Sequence, residues 1–206
     1  MELLSVATDE AFERVLQRCH EPQVFPSVLV LLHQIMRASV PLMKRAYDRA
    51  GRGSPILADY LRCHIEEEAD HDEWLRADIS SACPQVLPLL DRPSPPAVAA
   101  VVGAQYYWIE HCDPVAVLGY IAVLEGFPPQ DALLDDIKRR SGLPETAFRT
   151  CRKHGELDLD HRKDLDRLLD RLDLTETRYE LVGCSASHTI LGLARCYVAL
   201  CEEPTT

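Results

Sequence analysis

Apolar residues recur at helical spacing along most of the chain, and this pattern limits the fold more than any other feature. Between about residues 26 and 50 the apolar positions follow one another three or four apart, as on the buried face of an α-helix. Similar segments follow, separated by clusters of Gly, Pro and Ser, and none shows the alternation of a β-strand. The sequence therefore predicts an all-α bundle of about seven helices, in a single domain over residues 1–206.

The charge balance and the cysteines restrict the class of partner and the compartment. The chain has 22 Lys and Arg residues against 33 Asp and Glu residues, so its formal net charge is −11. We therefore expect a small-molecule ligand, and neither nucleic acid nor a membrane as partner. Eight cysteines without a Cys-x-x-Cys pair indicate buried thiols, and the N-terminus lacks the pattern of a signal peptide. These features favour a cytoplasmic protein.

The segment over residues 153–161 holds three metal-ligand side chains at spacings that suit a helix. His154, Asp158 and His161 are four and three residues apart, and each residue of an α-helix turns by about 100°. The three side chains therefore form one stripe. Two imidazoles and a carboxylate suit iron, manganese or zinc, whereas calcium and magnesium prefer oxygen ligands. A solvated helix face has a similar composition, so a metal site needs further ligands from elsewhere in the chain.

Two other segments supply such ligands. A single helix is predicted over residues 54–79, where Glu68 and His71 form the Glu-x-x-His pair that di-iron carboxylate bundles use, and His64 lies seven residues before His71. Glu125 is the only charge in an apolar helix predicted over residues 115–126. Such a carboxylate needs a metal, an arginine or a position at the rim. Together the three segments carry the ligands of a two-metal site.

The motifs "HIEEEADHDEW", "LGYIAVLEG" and "HGELDLDH", in this order, resemble those of the heme-oxygenase-like di-iron oxidases and oxygenases. These are seven-helix proteins related in fold to heme oxygenase, thiaminase II and pyrroloquinoline-quinone synthase. Some members place the first carboxylate seven residues before the histidine of this helix, where this chain has His64, so Glu67, Glu68 and His64 remain alternatives for that ligand. The ligands implied by the resemblance are Glu68, His71, Glu125, His154, Asp158 and His161.

The same resemblance implies an activity and its cofactors. Two Fe(II) ions activate dioxygen, the co-substrate, for N-oxygenation, C–H oxidation or fragmentation of a small amino-acid-like or acyl molecule in specialised biosynthesis. Nitrogen and oxygen ligands also accept manganese or zinc. Family members are frequently homodimers, so a homodimer is a further expectation. The alternatives are a metal-independent enzyme like thiaminase II, which uses a cysteine nucleophile, and a non-enzymatic helical binding protein.

Overall fold

The structure is a computed structural model that describes residues 2–202, with side chains described from residue 10 onward except at residue 52. This part of the chain is largely α-helical and contains no β-strand, which confirms the all-α prediction. Its nine helices are α1 (Glu2–Arg18), α2 (Val24–Ala50), α3 (Pro55–Glu67), α4 (His71–Ala82), α5 (Pro96–His111), α6 (Val117–Leu124), α7 (Asp131–Ser141), α8 (Arg149–Arg171) and α9 (Glu176–Glu202). Short 3-10 turns lie at Gly51–Gly53, Pro84–Leu89, Pro114–Ala116 and Glu145–Ala147.

The single helix predicted over residues 54–79 is in fact two helices, α3 and α4. They are separated at residues 68–70, where Asp70 has a φ of 66°. Aspartate is one of the few residues besides glycine that adopt this left-handed conformation. The described residues therefore form more helices than the seven or so that the sequence predicts. A single helix would have placed His64 and His71, seven residues apart, on one face, but His64 lies on α3 and His71 begins α4.

The core consists of two apolar clusters, and these include residues from opposite halves of α8. The first cluster includes Leu61 of α3 and Leu165 of α8, together with residues of α5, of α6 and of α2 from Leu31 onward. The second includes Leu75 of α4 and Cys151 of α8, together with residues of α1, α7 and the first half of α2. Along the chain, the link between α3 and α4, and the segment of α8 from residue 154 to residue 161, therefore lie between residues of the two clusters.

Helix α2 is the one helix of residues 2–202 that is long and apolar enough to cross a membrane. Of its most apolar stretch, 56% is nevertheless buried inside the protein. Leu29 and Leu42 are fully buried, and they belong to different core clusters. Much of the apolar surface of α2 thus packs against other helices of the bundle.

The loop between α6 and α7 crosses α8 at very close range. A methyl group added to Gly155 of α8 would lie 2.5 Å from the carbonyl oxygen of Pro129 in this loop. No side chain larger than hydrogen fits there without a shift of the backbone. Because Glu125 immediately follows α6 and His154 precedes Gly155, this contact holds two predicted ligands on neighbouring segments.

Candidate metal centre

Among the described residues, two groups of side chains lie close enough together to hold metal ions. The first consists of His64, Glu68, Glu125 and His161, and the second of Glu68, His71 and His154. Within each group, one ligand atom from every residue lies within 4.8 Å of the others. Five of the six predicted ligands belong to these groups, and His64 is an additional member.

Glu68 belongs to both groups and offers them different oxygen atoms. Its Oε2 atom lies 3.1 Å from Nδ1 of His71 and 4.0 Å from Nε2 of His154. Its Oε1 atom lies 3.4 Å from Nδ1 of His161. The Glu68 amide donates a hydrogen bond to the carbonyl of His64 at 2.9 Å, which fixes the residue at the end of α3. The carboxylate therefore lies between the two groups, as a bridging ligand would.

The first group is buried between α3, α8 and the end of α6. His64 Nε2 lies 2.8 Å from Glu125 Oε1, and His161 Nδ1 lies 3.8 Å from Glu125 Oε2. The two imidazole rings meet edge to face, with 4.8 Å between their centroids. His64 is 2% exposed and His161 is 4% exposed, so neither is a solvated surface histidine.

The second group is supported by hydrogen bonds from the beginning of α8. His154 Nδ1 lies 3.0 Å from the carbonyl oxygen of Thr150, to which it donates, so Nε2 carries the lone pair on the side of Glu68. Asp78 of α4, which is 3% exposed, accepts hydrogen bonds from the Thr150 amide at 2.8 Å and hydroxyl at 2.7 Å. Asp78 thus holds the turn of α8 that orients His154.

The pKa values in the two groups reflect burial and the neighbouring charges. Burial opposes a charge on His64, but the hydrogen bond and charge of Glu125 outweigh it and raise the pKa of His64. Burial likewise opposes ionisation of Glu68, but its hydrogen bond to His71 and the nearby histidines lower its pKa. Burial lowers the pKa of His154, which favours the neutral ring that binds metals.

Several buried ligand atoms in these groups have no hydrogen-bond partner among the described residues. They are Glu68 Oε1, Glu125 Oε2 and His161 Nδ1. A buried polar atom left without a partner costs about 1–3 kcal/mol. A cation between these atoms would provide the missing partner, and their mixture of nitrogen and oxygen is suited to iron, manganese or zinc. All three atoms face one another in the first group, so the residues there fit one metal ion, and Glu68, His71 and His154 supply ligands of the same types for a second.

Two solved structures share the architecture of this chain. A domain of unknown function with a heme oxygenase-like fold, from Shewanella denitrificans OS217, superposes with a TM-score of 0.83 at 15% sequence identity, covering 98% of this chain and 90% of that one. A TenA homolog from Pseudomonas syringae pv. tomato DC3000 superposes with a TM-score of 0.69 at 11% identity, covering 98% and 92%. This chain has a heme-oxygenase-like fold. No protein-family model and no curated protein matches its sequence.

Within this heme-oxygenase-like fold, Asp158 lies outside both groups. It is 4% exposed, and its Oδ1 atom has no hydrogen-bond partner among the described residues. Burial, together with the charges of Glu125 and Glu68, raises the pKa of Asp158 to about 8. Asp158 is thus near enough for the charges of the two groups to change its pKa. Its role as a metal ligand remains a prediction.

Glu67, the remaining alternative for the first ligand, lies at the edge of the first group. Its Oε2 atom is 3.6 Å from Nε2 of His161, but its side chain is 55% exposed. The His64 side chain, which was the third alternative, lies inside the group. In the sequence, the seven-residue spacing between His64 and His71 was the signal that pointed to His64, although the two histidines belong to different groups.

All eight cysteines of the heme-oxygenase-like fold are free thiols. The prediction that they are buried is wrong for Cys63, Cys112 and Cys184, which are exposed, whereas Cys151 on α8 is buried. Burial raises the pKa of Cys151 to about 12, so this thiol is not activated as a nucleophile. No cysteine belongs to either of the two groups of possible ligands found among the described residues.

Proposed function

We propose that this protein is a non-heme di-iron oxidase or oxygenase that uses dioxygen to oxidise a small amino-acid-like or acyl substrate in specialised biosynthesis. The observation that carries the proposal is the position of Glu68 between two groups of imidazoles and carboxylates, with one oxygen atom toward each. Di-iron carboxylate proteins are built from such ligands, with Glu-x-x-His motifs on facing helices.

The residues of the two groups have distinct tasks in this proposal. His64, Glu125 and His161 would hold one ion, His71 and His154 the other, and Glu68 both. Bound iron would supply the activation of dioxygen. The hydrogen bond from His154 Nδ1 to the Thr150 carbonyl keeps the ligand nitrogen turned toward Glu68. The two apolar clusters on either side keep water away from the site, which protects reactive species from side reactions.

An anaerobic Fe(II) titration of the metal-free protein tests this proposal. We expect about two equivalents of iron to bind. Glu68→Ala removes a ligand from both groups, so we expect it to weaken the binding of both equivalents by at least tenfold. Glu67→Ala is the matched control, because Glu67 is the neighbouring carboxylate and its side chain is 55% exposed. We expect this control to bind iron nearly as the native protein does.

Exposure of the iron-loaded protein to oxygen is the second half of the test. We expect oxygen consumption and an absorbance change in the native protein, and the loss of both in Glu68→Ala. If the native protein binds no iron, with or without candidate amino acids and fatty acids, the di-iron proposal is abandoned. The same holds if the iron-loaded protein consumes no oxygen with any of these molecules.

Alkylation of the cysteines separates this proposal from a metal-independent enzyme of the thiaminase II kind. The exposed thiols of Cys63, Cys112 and Cys184 are open to iodoacetamide, and none of them lies in the two groups of ligands. We therefore expect alkylation to leave iron binding and oxygen consumption unchanged. Loss of activity with iron binding retained would favour a thiol mechanism instead.

A further inference from the structure

A small cleft opens directly beside the proposed metal centre. It lies between the end of α6, the loop that follows it, and the second half of α8, and its volume is about 260 Å³. Glu125 of the first group lines this cleft, and so does Phe127, whose side chain is 81% exposed. Drug-sized ligands occupy pockets of about 300–1,000 Å³. A molecule bound in this cleft is therefore small, and it reaches Glu125.

Two opposite charges on α8 line the cleft without an ionic partner. Arg162 and Asp166 are four residues apart, and neither forms an ion pair with any residue that the structure describes. Arg167 on the same helix is different, because its Nη1 atom pairs with Oδ1 of Asp164. Lys163 likewise pairs with Asp160. Among the exposed charged residues that the structure describes on this helix, the two at the cleft share the lack of an ion pair only with two residues at the end of α8, Asp170 and Arg171.

The other residues of the cleft are mainly apolar. Ala122 of α6 and Leu165 and Leu169 of α8 line it together with Phe127. Such a surface binds a hydrocarbon group through the hydrophobic effect. The cleft therefore combines an apolar wall with one free cation and one free anion, and a metal-ligand carboxylate lies beside them.

A ligand that satisfies all of these features carries both charges itself. A guanidinium group binds a carboxylate well, often through two parallel hydrogen bonds. A simple fatty acid would bring its carboxylate near Asp166 and repel it, whereas the ammonium group of an amino acid would pair with Asp166. We propose that this cleft binds an apolar α-amino acid, with its carboxylate at Arg162, its ammonium group at Asp166 and its side chain toward Glu125. This inference rests on the proposed function, and within it favours an amino acid over an acyl substrate.

Anaerobic calorimetry of the iron-loaded protein tests the inference, with L-leucine, L-methionine and L-phenylalanine as probes. Two analogues of leucine isolate the charges, since 4-methylpentanoate lacks the ammonium group and 3-methylbutylamine lacks the carboxylate. We expect at least one amino acid to bind. If leucine binds, we expect each analogue to bind at least tenfold more weakly. Without oxygen the ligand is not consumed, so binding is measured separately from turnover.

Variants of the two charged residues complete the test. Arg162→Ala and Asp166→Asn are each expected to weaken amino-acid binding by at least tenfold, while both still bind about two equivalents of iron. Arg167→Ala and Asp164→Asn are the matched controls on the same helix, and we expect them to bind the amino acid as the native protein does. Thermal melts of all four variants check that each one is folded.

Each result has a defined consequence. The inference is wrong if no amino acid binds, if 4-methylpentanoate binds as tightly as leucine, or if neither Arg162→Ala nor Asp166→Asn weakens binding. The iron content of the same samples distinguishes this failure from that of the proposed function. Two equivalents of iron without amino-acid binding would overturn the assignment of the cleft alone. Absence of iron binding would overturn the di-iron proposal.

Discussion

His64 Nε2 lies 2.8 Å from Glu125 Oε1, and this contact joins α3 to the end of α6 in the interior of the bundle. The sequence left His64, Glu67 and Glu68 as alternatives for the first ligand of this region. In the structure His64 and Glu68 lie in the same group, whereas the side chain of Glu67 is largely exposed. In the proposed centre, His64 therefore supplies a nitrogen ligand at the position where some of the di-iron proteins that the sequence motifs resemble have a carboxylate.

Replacement of His64 with alanine is expected to weaken the binding of one metal ion and to spare the other. His64 belongs to the first group only, and the second group keeps Glu68, His71 and His154. An anaerobic Fe(II) titration should show one equivalent bound as in the native protein and a second bound at least tenfold more weakly. Two equivalents bound with native affinity would show that His64 is not a ligand.

Replacement of Asp158 with asparagine is expected to have opposite effects on the metal-free and metal-loaded protein. Burial, together with the charges of Glu125 and Glu68, raises the pKa of Asp158 to about 8, so at neutral pH the metal-free protein must protonate this side chain on folding, and asparagine avoids that cost. We expect a higher melting temperature for the metal-free variant. We also expect a smaller rise in melting temperature on addition of Fe(II), because a carboxylate near the ions is lost.

Asp160→Asn is the control for this experiment. Asp160 lies on the same helix as Asp158 but is exposed, and it pairs with Lys163 at the surface. Exposed ion pairs contribute little to stability, so neither melting temperature should change appreciably. A metal-free Asp158→Asn protein that melts at a lower temperature than the native protein would contradict the expectation.

Much of the fold and of the candidate site could be predicted because both depend on helical spacing. Apolar positions three and four apart predict helices, and the same spacing places His154 and His161 on one face of α8. The separation of α3 from α4 could not be predicted in this way. It depends on the left-handed conformation of the single residue Asp70, and no Gly or Pro between residues 66 and 73 marks the break. His64 and His71 consequently reach different groups.

The cleft beside Glu125 could not be predicted from local patterns. Arg162 and Asp166 have the spacing of an ordinary surface ion pair, and helices commonly carry such pairs. In the structure, however, neither residue has an ionic partner among the described residues, and Phe127 from another segment lines the same cleft. This arrangement depends on how the loop after α6 crosses α8. Contacts of this kind are a property of the tertiary structure.

Alanine substitutions at two helical glycines are expected to change stability in opposite directions. At Gly155 the added methyl group would lie 2.5 Å from the Pro129 carbonyl, so the loop must move, and such overpacking costs about 1–3 kcal/mol. At Gly183 of α9 nothing lies within 4 Å of the added group. Alanine there should stabilise the helix by about 0.5–1 kcal/mol. Urea unfolding of the two variants measures both changes.

The metal affinity of Gly155→Ala adds a second measurement. Displacement of the loop from α8 alters the surroundings of both Glu125 and His154. We therefore expect weaker Fe(II) binding in Gly155→Ala and native binding in Gly183→Ala. If both variants bind iron with native affinity, the contact between the loop and α8 does not position these ligands.

Replacement of Asp78 with alanine is expected to reduce both stability and metal binding by the second group. Asp78 accepts hydrogen bonds from the amide and hydroxyl of Thr150, which are buried and would lose this partner. Each buried polar group left without a partner costs about 1–3 kcal/mol, measurable by urea unfolding. The Thr150 carbonyl orients His154, so disorder in this turn should also weaken one equivalent of bound iron.

The control for Asp78 is Arg149→Ala, because Arg149 donates to the same carboxylate but its side chain is 56% exposed. Loss of Arg149 leaves both Thr150 hydrogen bonds in place but removes the cation beside a buried carboxylate, so we expect reduced stability with iron binding little changed. Asp78→Asn adds a second comparison, since its amide oxygen still accepts a hydrogen bond from Thr150. If Asp78 acts by orienting His154, the asparagine variant should bind iron more tightly than the alanine variant. Equal iron binding in the native and Asp78→Ala proteins would show that this hydrogen-bonded turn does not support the metal centre.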